Sequence, residues 1–245
     1  MISEESLCVV SAFTGKAANN ISGTTLHSTL FLPTTGAFTE LKGMQLQTLQ
    51  STFERSSFLI IDEYSMVGLR LFGRIDSRLR QATGKLQEPF GGISVIIIGD
   101  ILQLPPVKDK PVYSRPEANE PSDVQKGRTS FAAFRTVVEL TKNERQNDPG
   151  QEEFRQFLMD LRKGQHDPEK AYNLLKSRMI GIAPTNVVQQ FNDAICLNYS
   201  NNNVDRANVD ALNKLKNDKN QRICRINAVK IFSIFKSFQS WIFEY

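Results

Sequence analysis

The sequence predicts an α/β chain built on a mainly parallel sheet. Three observations carry that prediction. Uninterrupted apolar runs at residues 7–12, 58–61 and 95–98 read as strands buried on both faces, as in a parallel sheet. The second run ends in Asp62-Glu63 and the third in Gly99-Asp100. A helical pattern separates those two runs, which makes a βαβ unit. A buried helix segment is the competing reading of each run; flanking glycines and β-branched residues favour strand.

The helix between the strands is read from Val67, Leu71, Ile75 and Leu79 at four-residue spacing, with Phe72 beside them. Ser65 is positioned to cap its start and Gly84 its end. A right-handed crossover then brings Asp62 and Asp100 to one sheet edge, outside the carboxyl ends of the strands, where open α/β sheets bind ligands. Residues 107–130 read as a charged, Pro-containing loop. Phe154, Phe157, Leu158 and Leu161 mark another amphipathic helix stopped by Gly164, and Asp167-Pro168 fits the start of the next. Residues 180–183 read as a strand and 186–197 as a helix.

From Asn192 to Asn227, 10 of 36 residues are asparagine, the composition of a linker or poorly ordered stretch. Ile231, Phe235, Phe238 and Trp241-Ile242 fall on one helical face, and Phe232 and Phe243 add to the aromatic content, so a terminal helix is expected. With only Lys230 and Lys236 basic there, a membrane-surface or partner helix is the weaker reading.

The 245 residues carry a net charge of +4, with 40% hydrophobic and 23% charged residues, the composition of an ordinary globular chain and not of a collagen-like, mucin-like or disordered polymer. Cys8, Cys196 and Cys224 are odd in number and far apart, which gives neither a disulfide framework nor metal spacing and predicts a reducing, intracellular compartment. No apolar run approaches the roughly 18 residues of a membrane span, and no secretory signal opens the sequence.

The acidic strand ends carry the chemistry. An apolar strand that delivers Asp62-Glu63 suits nucleotide hydrolysis: the first carboxylate holds a hydrated Mg²⁺, and the second orients or deprotonates the attacking water. Asp100 and Gln103, past the neighbouring strand, sit beside the same phosphates on this reading. Two solvated strand ends with ordinary acidic caps are the bland alternative. Thr14-Gly15-Lys16 resembles the tail of a phosphate loop, but G-x-x-x-x-G-K-[ST] needs Gly at position 10 and Ser or Thr at 17, where Val10 and Ala17 stand.

Together these segments resemble the Pif family of superfamily-one, RecD-like DNA helicases. Thr14-Gly15-Lys16-Ala17-Ala18-Asn19-Asn20-Ile21, with Gly23 and Thr25-Leu26-His27-Ser28, resembles motif Ia. Asp62-Glu63-Tyr64-Ser65-Met66 resembles motif II. Pro89-Phe90-Gly91-Gly92, followed by Gly99-Asp100-x-x-Gln103-Leu104-Pro105-Pro106-Val107, resembles motif III and is highly specific. Leu140 through Arg145-Gln146 resembles motif IV.

The resemblance implies an ATP-dependent DNA helicase moving 5′ to 3′ on single strands, with ATP and Mg²⁺ as cofactors, and single-stranded DNA and duplex junctions as partners. It implies a RecA-like P-loop NTPase lobe over residues 1–140, the start of a second RecA-like lobe over 141–198, and an Asn-rich divergent tail over 199–245. By position, Asp62 binds Mg²⁺ through water, Glu63 activates water, Gln103 senses the γ-phosphate, Asp100 lies at the nucleotide, and Arg145 stabilises charge on the transferred phosphoryl. Thr14, Gly15, His27 and Ser28, with Thr185 and Asn186 of the second lobe, line the DNA path. His27 as a half-buried structural histidine and Arg145 as a surface ion-pair arginine are the plain alternatives. A nuclear or mitochondrial setting in DNA repair, recombination or telomere maintenance fits the family.

Two departures stand out. The family's phosphate loop, which belongs ahead of Leu7, has no counterpart, and Phe13 replaces the usual Pro. Later second-lobe motifs are not found after residue 198. The expectation is therefore an N-terminally shortened helicase piece with little ATPase activity of its own. A pseudo-helicase that binds single-stranded DNA or a partner is the alternative, and a RecA-like ATPase unconnected with DNA is the third reading.

Overall fold

A computed structural model describes residues 8–145, 148–192, 194–218, 224–227 and 239–242, with side chains as far as residue 215. The chain divides into two compact units, residues 1–165 and 166–245.

The first unit carries the sheet. Strands β1 (Cys8–Ala12), β2 (Thr24–Thr25), β3 (Phe58–Asp62) and β4 (Ser94–Ile97) stand in the order β2-β1-β3-β4, all parallel. The three predicted strands are present, and β3 and β4 are neighbours as expected. The expectation of burial on both faces holds for part of the sheet: Leu59 and Ile61 of β3 are fully buried, whereas Ile96 of β4 is 44% exposed. β4 is an edge strand, which leaves part of its apolar surface uncovered.

Helix α1 (Gly15–Asn20) follows β1, α2 (Leu26–Thr29) follows β2, α3 (Gly43–Phe53) precedes β3, and α4 (Leu69–Thr83) crosses from β3 to β4. Gly84 ends α4 in the left-handed conformation, φ 73°, as its sequence predicts. The start differs. Ser65 lies in a single 3₁₀ turn, Tyr64–Met66, and caps nothing. The helix begins at Leu69, and the distant Asp109 accepts hydrogen bonds from the N–H groups of Arg70 (3.2 Å) and Leu71 (3.1 Å). A carboxylate at a helix N-terminus meets both free donors and the helix dipole.

The core clusters on α4, where Leu69, Phe72, Ile75 and Leu79 are fully buried. Phe72 meets Phe90, Phe131 and Phe134 edge-on at centroid distances of 6.0, 5.6 and 5.8 Å. Phe90 reaches this cluster because Phe90, Gly91 and Gly92 all take positive φ, which turns the Pro-Phe-Gly-Gly segment sharply inward. Its N–H donates to buried Asp76 at 2.6 Å, and Arg80 pairs with the same carboxylate at 2.8 Å. Asp76→Ala is expected to cost about 1–3 kcal/mol, because the Phe90 N–H then loses its partner in a buried place. Chemical denaturation measures this, and a change below roughly 0.5 kcal/mol, the usual surface range, would contradict it.

Residues 107–130 are not all loop, as the sequence reading had it. Helix α5 (Ser122–Phe131) packs along α4, and Arg70 pairs with Asp123 at 2.6 Å. Its contact face, Val124, Gly127 and Ser130, contains one large apolar residue, so no periodicity announces it. Helix α6 (Glu152–Lys163) occurs where Phe154 to Leu161 predict it, ending at Gly164 with φ 67°.

In the second unit α7 (Pro168–Lys176) starts as predicted, with Asp167 accepting from the N–H groups of Glu169 and Lys170. Residues 180–183 form a turn and no strand: the N–H groups of Ile182 and Ala183 both bond the Met179 carbonyl, and Gly181 takes φ 95°. Helix α8 is short (Thr185–Gln189), and turns replace the rest of the predicted 186–197 helix. The Asn-rich segment forms helix α9 (Asn201–Asp218), where a linker was expected. Ser200 explains its start, since its hydroxyl accepts from the Asn203 N–H at 3.3 Å. Trp241-Ile242 belong to a strand, β6 (Gln239–Ile242), antiparallel to β5 (Cys224–Asn227), and not to a helix; cross-strand pairing outweighs the apparent helical spacing. Ile231, Phe232, Phe235, Phe238 and Phe243 lie outside the described residues, as does Gln146. Among the described residues no helix is long and apolar enough to cross a membrane.

Candidate nucleotide and DNA site

The register of the sheet builds the site. Ala12 of β1 stands opposite Asp62 of β3 and Thr25 of β2, and Ile61 stands opposite Ile97 of β4. Four parallel strands thus end level, and each releases its chain at the same edge. β1 is followed by Thr14 and Gly15, β2 by His27 and Ser28, β3 by Glu63, and β4 by Asp100 and Gln103.

Thr14 caps α1, its hydroxyl accepting from the Ala17 N–H at 3.2 Å. Thr25 caps α2 in the same way through the Ser28 N–H at 3.3 Å. Leu26 is fully buried, which fixes His27 and Ser28 beside it at the rim. His27 packs edge-on against Phe13 at 5.8 Å. It is half-buried, which fits its structural reading.

His27 lies below its ordinary value of 6.5, first because burial disfavours the charged ring and second because Arg74 is near. Folding therefore opposes proton uptake. The stability this contributes is complete above 6.5 and is lost as the pH falls below 6.5 through the lower folded value. His27→Gln is expected to flatten the acid side of the stability curve from about pH 7 downward. Parallel curves for the two proteins would contradict this.

At the end of β3 the chain reverses through Glu63, which takes φ 55°, ψ 44°. A non-glycine residue in the left-handed region costs roughly 1–2 kcal/mol, a strain that functional sites commonly hold. The Glu63 N–H donates to Asp62 Oδ1 at 2.9 Å, and the Tyr64 N–H to the Ile98 carbonyl at 3.1 Å, which ties this turn to the next strand. Asp100 forms an ion pair with Arg162 of α6 and accepts from the Leu102 N–H at 3.0 Å. Burial pushes its carboxyl up, but Leu102, Arg162 and the Gln103 side chain together hold it below the usual 3.8.

A cavity of about 210 Å³ opens at this edge, lined in part by Thr14, Lys16, Glu63, Ser65 and Gln103. A larger cleft of about 750 Å³ lies at the opposite edge, against Gln47, Gln50, Ser57 and Ser94, and contains none of the predicted site residues. Lys16 and Ser65 are among the members of the smaller cavity that went unforeseen. Lys16 shares it with Glu63 although its motif is not a phosphate loop. Ser65 is 7% exposed with a hydroxyl that lacks a hydrogen-bond partner. Lys16 carried a signal, its position two residues past Thr14; Ser65 carried none beyond its place after Asp62-Glu63.

Of the other predicted residues of this unit, Gly15, His27, Ser28, Asp62, Asp100 and Arg145 do not line this cavity. Arg145 is exposed, and its N–H donates to the Asn143 side chain at 3.0 Å. Thr185 and Asn186 open α8 in the second unit, both exposed.

The donors present suit a nucleotide with Mg²⁺. Asp62, Glu63 and Asp100 offer hard oxygen ligands. Among the described residues no group of three or more His, Cys, Asp or Glu gathers as a metal cage. Mg²⁺ needs none, because it keeps several waters and takes one or two carboxylates plus phosphate oxygens.

Comparison with known proteins decides the family. The model of PIF1-like helicases matches residues 1–171. The chain belongs to the PIF1-like helicase family. The ATP-dependent DNA helicase PIF1 of Xenopus laevis is 32% identical over 168 residues, 68% of this chain and 25% of the frog protein. The human PIF1 helicase is 40% identical over 101 residues, 40% of this chain and 16% of the human one. The chain thus spans a quarter or less of these relatives. The crystal structure of Pif1 from Candida albicans superposes with a TM-score of 0.64 at 25% identity, covering 91% of this chain and 46% of that one. Bacteroides Pif1, solved in complex with ADP-AlF3 and single-stranded DNA, gives 0.57 at 28% identity, covering 94% and 52%. The α/β fold of this PIF1-like chain is therefore that of the family's RecA-like helicase domains, and the family is one of DNA helicases.

Proposed function

We propose that this PIF1-like chain carries nucleotide-hydrolysis and DNA-contact residues of an ATP-dependent helicase, which couples ATP hydrolysis to 5′-to-3′ translocation on single-stranded DNA and to duplex unwinding. One observation supports this best: Thr14 of the DNA-type segment and Glu63 and Gln103 of the hydrolysis segments line a single cavity at the carboxyl edge of the sheet. In this reading Asp62 holds Mg²⁺ through water. Glu63 accepts the proton of the attacking water, Gln103 contacts the γ-phosphate, and Asp100 supports it. Arg145 supplies positive charge to the transferred phosphoryl when the second lobe closes. Thr14, Gly15, His27 and Ser28 hold DNA phosphates through hydroxyls and amides, without reading sequence. Thr185 and Asn186 extend that path, and residues 141–198 begin the second lobe. The setting is genome maintenance in repair, recombination or telomere upkeep, inside the nucleus or the mitochondrion.

A second reading is favoured by a specific observation. The 245 residues contain no G-x-x-x-x-G-K-[ST] segment. As a separate polypeptide the chain would then bind single-stranded DNA or a partner without hydrolysing ATP.

Both readings share DNA binding, and fluorescence anisotropy with a labelled oligothymidylate tests it. Binding is expected to weaken with salt, by about 0.7 in log K per log unit of salt for each phosphate neutralised. Ser28→Ala and Thr14→Ala are each expected to weaken it several-fold. Salt-independent binding, or none at low salt, would overturn the DNA assignment and leave an ATPase unconnected with nucleic acid.

A further inference from the structure

Gln103 is exposed on the turn after β4 and lines the same cavity as Glu63. What restrains it is a chain of polar contacts. Asp100 accepts from the Leu102 N–H at 3.0 Å. The Gln103 N–H donates to the Asp100 carbonyl at 3.0 Å, closing the turn. Asp100 is therefore the hub of the turn, and the remaining partner of its carboxylate is Arg162, more than 60 residues away, in the last turn of α6.

A cation in the last turn of a helix is ordinary, since it complements the helix dipole. Lys163 is the next residue in the same turn and meets that description: it is exposed and, among the described residues, forms no ion pair. Arg162 differs. Its guanidinium is committed to one carboxylate oxygen at the edge where the strands end.

We propose that Arg162 is a positioning residue of the candidate hydrolysis site: by clamping Asp100 it fixes the Asp100–Gln103 turn and so holds Gln103 at the cavity that Glu63 shares. The role rests on the hydrolysis reading of that cavity, but the clamp is a property of the unliganded chain. It links α6, which follows the Arg145 segment, to the residue assigned to the γ-phosphate. An arginine suits this task because its planar, permanently charged fork holds direction as well as charge.

The test uses the full 245-residue chain in solution without nucleotide or DNA. Amide hydrogen exchange at Leu102 and Gln103, and the Gln103 side-chain amide resonance, are measured for the wild type and for Arg162→Ala, Arg162→Lys, Lys163→Ala and Asp100→Asn. Arg162→Ala is expected to speed exchange at both amides roughly three- to tenfold and to shift the Gln103 side-chain signal. Arg162→Lys should recover part of both effects. Lys163→Ala, which removes a cation from the same turn, should change neither. In the double variant Arg162→Ala/Asp100→Asn the effects should not add, since both changes cut one contact. The clamp is overturned if Arg162→Ala leaves the Gln103 signal in place, or if Lys163→Ala moves it equally. A chain that binds neither DNA nor nucleotide yet shows these shifts would remove the functional reading and leave the clamp standing.

Discussion

Gly127→Ala is expected to destabilise the chain by roughly 3 kcal/mol. Two effects compete. Alanine in a helix interior normally gains about 1 kcal/mol over glycine. Here a Cβ on Gly127 would stand 1.7 Å from the Leu69 carbonyl oxygen, a backbone atom that no side-chain rotation can move aside. Gly73 on α4 faces the same crossing, where its own Cβ would meet the Gly127 nitrogen at 2.9 Å. The two helices touch backbone to backbone, so an added methyl group must part them and loosen Phe72 and Phe131 in the process. Gly150→Ala, which meets nothing within 4 Å, is the matched control. Urea denaturation should give a much lower midpoint for Gly127→Ala and little change for the control. Equal midpoints would show that the crossing is looser than described.

The second large effect is catalytic. The 245-residue chain is expected to turn over ATP at the uncatalysed background, with or without single-stranded DNA. A phosphate loop binds nucleotide through a run of backbone N–H groups at a helix start, completed by a lysine. The position that such a loop would need as glycine is Val10, which lies mid-strand in β1 opposite Ile60. Lys16 therefore reaches the cavity from a capped helix and not from a cradle of amides. Turnover that needs Mg²⁺, rises with DNA and disappears in Glu63→Gln would contradict this expectation. It would mean that Lys16 and Ser65 bind phosphate in a way the loop pattern does not describe.

Much of the first unit was legible because its signals are local. Apolar runs gave three strands, and four-residue spacing gave α4. The level strand ends followed from handedness, which is why Asp62, Glu63, Asp100 and Gln103 could be assigned to one edge from residue order alone. What stayed hidden depends on long-range partners. Asp109 caps α4 from 39 residues away, and no pattern near Ser65 revealed that the cap lay elsewhere. Helix α5 was missed because its buried face is Val124, Gly127 and Ser130: close approach demands small residues, and these erase the hydrophobic period. The Asp100–Arg162 pair was missed for the same reason, since two charges far apart in sequence have no spacing to read. In the second unit composition misled. Counting asparagines over 192–227 outweighed the Ser200 cap that starts α9. Among the site residues, Arg145, Thr185 and Asn186 were named from resemblance alone, and the contacts described for them add no support.

The proposed function makes the carboxyl edge of the sheet the ligand edge. The most direct measurement is a map of backbone amide shifts as the isotope-labelled chain is titrated with a short oligothymidylate. The largest changes are expected at Thr14, Gly15, His27 and Ser28, with smaller ones carried to Glu63 and Gln103 through the shared cavity. Changes centred instead on Gln47, Gln50, Ser57 and Ser94, at the cleft on the opposite edge, would contradict it.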